Sequence, residues 1–400
     1  MKAFLYKAKG ALALALAMSM FCPQVFAAEA LSAEQQGVQA APVVVLTEEE
    51  IAAQALPKLT FEEALQKAKK NSPDLREVED TADYLNESRK DLRDAMGSFK
   101  VPNYEYKQWV SEGWHALVSG VFSITQGIES NSINRELQNL LLETSVKSYF
   151  MTISNDEASL ELVKKNAEIQ QRLYEQGQTK YRLGMLSGYN LEQLKVAVQQ
   201  ADDTVALLEA TLAQDYTKFN QLIGEKPDAR YELVQDLTFE PYVMNQTMDQ
   251  YLNDKINNDD LTIKLQEMAL ESAKFKKNYV SYANTESDSE TQEYNYDNAK
   301  RDLKTAKQNK ETLIRNTYQQ IKQLETSYAS AQADVTKAAA DYRVAQVNYQ
   351  AGNVTKTVVE QAEMGLISAE NALQELVHNH DMLIFMFENP TLLSDQSAAQ

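Results

Sequence analysis

The sequence predicts an all-α protein of long antiparallel coiled-coil hairpins, arranged as two tandem structural repeats. Three observations carry this prediction. Helix-breaking residues are confined to a few places, one segment keeps a strict apolar heptad, and that segment recurs 168 residues later with its turn.

The breakers come first. No proline lies between Pro102 and Pro227 or between Pro241 and Pro390, and no glycine between Gly127 and Gly177 or between Gly224 and Gly352. Helices are therefore free to run over about 132–182, 189–224, 297–350 and 356–388. At about 1.5 Å per residue these span roughly 50–80 Å, longer than compact globular domains use.

The heptad is clearest in Leu191, Leu194, Val198, Ala201, Val205, Leu208 and Leu212, with Phe219 and Leu222 resuming it. Steps of three and four alternate, which is the seam of a coiled coil. Glu192, Lys195, Gln199 and Asp202 fill the outer positions.

The repeat is read by a shift of 168, which is 24 heptads and so preserves the seam. Tyr181 falls on Tyr349, Gly184 on Gly352, Ser187 on Thr355, Glu192-Gln193 on Glu360-Gln361, and Phe219 on Phe387. Identities, seam and turn recurring together indicate duplication. The beginning of each half matches at a different shift, 186, where Asn71-Ser72-Pro73-Asp74-Leu75 falls on Asn257-Asn258-Asp259-Asp260-Leu261. The difference places a length change in one irregular excursion per half, at about 97–131 and about 279–296.

Local signals supply the boundaries. Residues 1–27 have the layout of a secretory signal peptide: Lys2, Lys7 and Lys9, an apolar run from Ala11, then Val25-Phe26-Ala27. The run is too short for a spanning helix, and Cys22 lacks the small preceding residue of a lipidation site. Residues 28–58 read as a flexible lead-in. The first repeat covers 59–225, a connector 226–246, the second repeat 247–390 and a tail 391–400. Thr60 and Glu63 form a capping box, and Pro73 suits the first turn of the next helix. Gly184 and Gly352 suit left-handed helix ends, and Ser187 and Thr355 suit the caps that follow.

Composition excludes several function classes. The chain carries 39 basic and 58 acidic residues. Without the three leader lysines the balance falls to about −22, which disfavours a nucleic-acid partner. Cleavage after Ala27 removes the sole cysteine, and with it disulfides and thiol chemistry. Glu375 and His378 could share a helix face, but His380 takes the seam position of Leu212 and reads as packed. No phosphate loop or nucleophile elbow is present, so no enzyme, cofactor or metal site is expected.

Several segments resemble TolC-type outer-membrane efflux proteins over residues 59–390. They are LTFEEALQKAKKNSPDL, SITQGIESNSINRELQNLLLETSVKSYFMTI, and the two turn-and-return stretches beginning YRLGMLSGYN and YQAGNVTKTV. The resemblance implies an exported homotrimer whose helices close into one hollow α-helical barrel. It further implies a periplasmic adaptor and an inner-membrane RND or ABC transporter as partners, in an outer membrane or periplasm setting. Carried onto this chain, the adaptor-docking turns are Leu183, Gly184, Met185 and Leu186, and Ala351, Gly352, Asn353 and Val354. The alternative is a non-conducting coiled-coil scaffold of the envelope.

One departure from the family pattern is plain. Family members insert a two-stranded hairpin in each half to build a membrane barrel, which needs roughly 20 residues or more. NYEYKQWVSEGWHALVSGVFSI is barely long enough and weakly alternating, and NYVSYANTESDSETQEYNY is short and polar. Little or no β-barrel is therefore expected, and Trp109, Trp114 and Phe122 read as packing on the helices in preference to touching a membrane.

Overall fold

Stretches free of proline can run as long helices, and four such helices dominate this molecule. The computed structural model describes residues 56–98, 107–235, 237–280 and 286–394. The signal-peptide region lies outside the described residues. The first half opens with β1 (Lys58–Thr60), α1 (Phe61–Asn71) and α2 (Pro73–Ser98), then α3 (Lys107–Arg182) and α4 (Gly188–Ile223). After β2 (Glu232–Val234) come α5 (Met248–Asp254), a π-helical turn (Lys255–Asp259) and α6 (Leu261–Val280). The long α7 (Glu286–Gln350) and α8 (Lys356–Glu388) follow, and a 3₁₀ turn (Pro390–Leu392) closes the described chain. With 76 residues, α3 reaches roughly 110 Å at about 1.5 Å per residue.

The caps form where the residues call for them. Thr60 Oγ1 accepts from Glu63 N at 3.3 Å while Glu63 Oε2 accepts from Thr60 N at 3.2 Å. Thr247 and Gln250 repeat this box at the start of α5. Ser72 Oγ accepts from Leu75 N at 3.2 Å, tying α1 to α2.

The structure corrects the expected excursions. The described part of the first, from Lys107 to residue 131, is the uninterrupted opening of α3. The described part of the second, from Glu286 to residue 296, is the opening of α7. Side-chain contacts with α6 hold the first of these segments: Phe122 stacks on Phe275 with ring centroids 3.9 Å apart, and Gln126 donates to Glu271 at 3.1 Å. Among the described residues no strand lies in either excursion and there is no closed barrel. No described helix is long and apolar enough to cross a membrane.

Two cores repeat at the 168 shift. Around α1, Val146, Phe150, Ile153 and Phe219 are buried. Around α5 the equivalents are Ile314, Tyr318, Ile321 and Phe387. Burying each large side chain contributes about 1.5–3 kcal/mol, so these clusters anchor the base of each hairpin.

The beginnings of the halves correspond differently from the expected shift of 186. Ser72 and Asp260 play the same role, each accepting from the backbone N–H three residues on, Leu75 and Ile263. The correct shift at this joint is therefore 188. Thr60 to Ser72 is 12 residues, whereas Thr247 to Asp260 is 13, and the π-helical turn absorbs the extra one. The lead-in also ends earlier than expected: Lys58 pairs in parallel with Glu232 and Leu59 with Leu233 across β1 and β2.

Helix packing fixes the lateral order. α4 packs on α3, α3 on α8, and α8 on α7, while α2 lines α3 and α6 lines α7. The two hairpins thus lie side by side, joined through α3 and α8.

Candidate functional site at the hairpin turns

Both turns are built by the same chemistry. At the first, Gly184 takes φ 73°, and at the second Gly352 takes φ 76°, the left-handed region where a Cβ is costly. Gly184 N donates to Tyr181 O at 2.9 Å and Met185 N to Lys180 O at 2.8 Å. Gly352 N donates to Tyr349 O at 2.9 Å and Asn353 N to Asn348 O at 2.8 Å. This paired pattern is a Schellman motif at each helix end, and it reverses the chain within a few residues. Ser187 Oγ then caps α4 by accepting from Asn190 N at 3.2 Å. Thr355 starts α8 with extended backbone but makes no side-chain cap, a difference from the expectation.

The turns present different surfaces. In the first, Leu183 is 68 % and Met185 72 % exposed, with Tyr189 beside them at 74 %. Leu186 turns inward and is half-buried, packing toward Gly177. In the second, Ala351 and Asn353 are exposed and Val354 is half-buried in the place of Leu186. The first tip therefore presents three exposed large apolar side chains, Leu183, Met185 and Tyr189. Tyr189 was not singled out from the sequence; its place two residues beyond the cap of a tight turn is the signal that could have found it.

A polar ladder brings both tips to one end of the molecule. Arg172 near the end of α3 pairs with Glu360 at the start of α8, and Lys165 pairs with Glu363. Further from the tips Asn371 donates to Ala158 O at 3.0 Å and Gln374 to Ser154 Oγ at 3.1 Å. His378 Nδ1 lies 2.9 Å from Asn155 Oδ1, and Lys147 pairs with Asp381 at 2.6 Å. Rising numbers on α3 meet falling numbers on α8, so the helices are antiparallel and α3 ends where α8 begins. Sequence reading missed this ladder. Its signal was available as opposite charge on the two helices: Lys147, Lys165 and Arg172 against Glu360, Glu363 and Asp381.

His378 and His380 are packed between helices. His380 is buried, with its ring 4.6 Å from that of Phe239 and Nε2 3.7 Å from Glu325. Burial holds the imidazoles of His378 and His380 below the ordinary range. Glu375 is exposed while His378 is buried, so the face-sharing pair does not converge. Among the described residues no cluster of three or more His, Cys, Asp or Glu could hold a metal ion.

No family model and no curated protein sequence matches the chain. Solved structures do match its fold. The outer membrane protein VceC from Vibrio cholerae aligns at TM-score 0.59 and 12 % identity, over 82 % of this chain and 96 % of that one. The CmeC outer membrane channel of Campylobacter jejuni aligns at TM-score 0.62 and 11 % identity, over 84 % and 86 %. The open-state MtrE outer membrane channel of Neisseria gonorrhoeae aligns at TM-score 0.53 and 13 % identity, over 83 % and 88 %. The fold is that of TolC-type outer-membrane channels.

Proposed function

We propose that this chain is the tunnel component of a multi-protein efflux or secretion assembly. Three copies close into a hollow helical cylinder through which substrates leave an inner-membrane transporter. The observation that carries the reading is the pairing of two helical hairpins with both turns at one end, in a fold shared with outer membrane channels. Leu183, Gly184, Met185 and Leu186, with Ala351, Gly352, Asn353 and Val354, form the surface on which a periplasmic adaptor docks. The transporter behind it is of the RND or ABC class, and the protein works in the envelope after export.

Shape and chemistry support the docking role. A tight turn at the tip of a stiff hairpin offers little area, so affinity must come from a few apolar anchors such as Leu183 and Met185. The reading is tested by deleting the gene and measuring dye accumulation, which rises if the tunnel is lost. Complementation should fail for Leu183→Asp with Met185→Asp. It should succeed for Tyr84→Asp, a change at an equally exposed aromatic on α2. Unchanged accumulation in the deletion strain contradicts the reading.

A second reading, a non-conducting envelope scaffold, is favoured by one observation: the described excursion residues are helical. Purified protein that stays monomeric or dimeric would support it.

A further inference from the structure

The two hairpins are alike in their apolar cores but not in the layer beside those cores. In the first hairpin Tyr149 and Asp156 on α3 face Asp215 and Lys218 on α4. At the 168 shift these positions are Thr317, Leu324, Leu383 and Met386, all uncharged. Leu383 and Met386 pack on the second apolar core. A site that one hairpin fills with leucines, the other fills with two carboxyl groups. Asp156 Oδ2 is shut off from solvent without a hydrogen-bond partner. Asp215 is held by Lys218 at 2.8 Å. The lysine thus pairs with only one of the two neighbouring carboxylates in a half-buried space between α3 and α4.

We propose that the Asp156–Asp215 pair is a proton-controlled joint at the base of the first hairpin, closed when the two carboxyl groups share a proton and relaxed when both are ionised. With the proton present, Asp156 donates to Asp215, and the four groups carry no net charge. Once it leaves, two carboxylates face one ammonium, and the α3–α4 contact bears the uncompensated charge. The second hairpin has leucines there and cannot respond.

The surroundings do not neutralise the pair. On α3, the Tyr149 hydroxyl lies near Asp215 and Lys218, and Glu157 accepts from Tyr216 of α4 at 2.7 Å. From the segment before β2, Arg230 covers the Tyr216 ring at 4.5 Å. From α8, His378 meets Asn155, and Asp381 is taken by Lys147. No cation pairs with Asp156 among the described residues. Burial first, and then the charge and hydrogen bond of Asp215, push the Asp156 carboxyl up to about 6. A carboxyl raised above its unfolded value stabilises the closed joint below pH 3.8 in full, and that stabilisation is lost as pH rises through about 6. Between pH 5 and pH 7.5 the closed joint should weaken by about tenfold.

Hydrogen exchange on the full exported chain tests this, with rates corrected for intrinsic chemistry. Backbone amides around residues 150–160 and 210–218 should gain about tenfold protection at pH 5 over pH 7.5. The equivalent α7–α8 amides should show no such gain, because His378 and His380 resist protonation. Asp156→Asn should abolish the gain and leave the first hairpin protected at both pH values. If that variant folds poorly, the double change Asp156→Leu, Asp215→Leu installs the residues of the second hairpin and should do the same. Equal pH response in both hairpins of the wild type, or a gain that survives either variant, overturns the proposal.

Discussion

Gly177 lies against the side chains of Leu194, Leu186 and Leu191 just before the first turn. A methyl group added there collides with Leu194 Cδ1. The second hairpin solves the same contact the other way, with Ala345 and Ala362 at the equivalent positions. The larger residue on one helix is thus met by a smaller one across it, although the second pair carries two side-chain carbons fewer. In the wild-type background Gly177→Ala should destabilise by about 1 kcal/mol through overpacking. In a Leu194→Ala background the same change should stabilise by roughly 0.5–1 kcal/mol, the helix-propensity gain of alanine over glycine. Urea unfolding of the four variants measures both signs, and the same sign in both backgrounds would show the contact to be unimportant. Gly184 and Gly352 are a different case. Their surroundings are open, so only their positive φ demands glycine.

At the scale of elements, the segment after α8 is held by a buried ion pair that the first half lacks. Lys310, on α7, donates to Pro390 O at 2.9 Å and Leu393 O at 2.8 Å and lies 3.1 Å from Asp260. Both side chains are almost fully buried. The first half places Leu142 and Ser72 there. Lys310→Leu alone strands the Asp260 carboxylate and should cost about 3–5 kcal/mol. Adding Asp260→Ser transplants the first-half solution and should recover most of that loss in thermal unfolding. A double variant as unstable as the single one would mean that the lysine's hold on Pro390 and Leu393 dominates.

The same scale shows what was legible beforehand. Thr60, Ser187, Gly184 and Gly352 announce their elements because caps and left-handed turns are local chemistry. The heptads of α4 and α8 are legible because periodicity survives in any single helix. The β1–β2 pair joins Lys58 to Glu232, far apart in sequence, with three-residue strands too short to carry a pattern. The π-helical turn at Lys255–Asp259 leaves no local mark, and it accounts for one of the two residues by which the inferred register of the half-boundaries differs. The polar ladder needed α3 and α8 to be known as neighbours, which no single-helix pattern states. The excursions read as irregular because the two repeat shifts place a length change there, whereas their described residues continue the helices, packed against α2 and α6.

At the scale of the molecule, two edges remain open: α4 on one side and α7 on the other. The chain already contains one joint between its repeats, through α3 and α8. Repeat equivalence maps α3 onto α7 and α8 onto α4, so a copy's α4 fits the open α7 by the same geometry. In the assembly we propose, repeating that joint around an axis closes a ring, and three chains of four long helices give a cylinder of twelve. Electron microscopy of the purified full chain tests this most directly. The account predicts three-fold, hollow particles with both hairpin turns of every chain at one mouth. Solid particles, or monomers and dimers with no central channel, would contradict it.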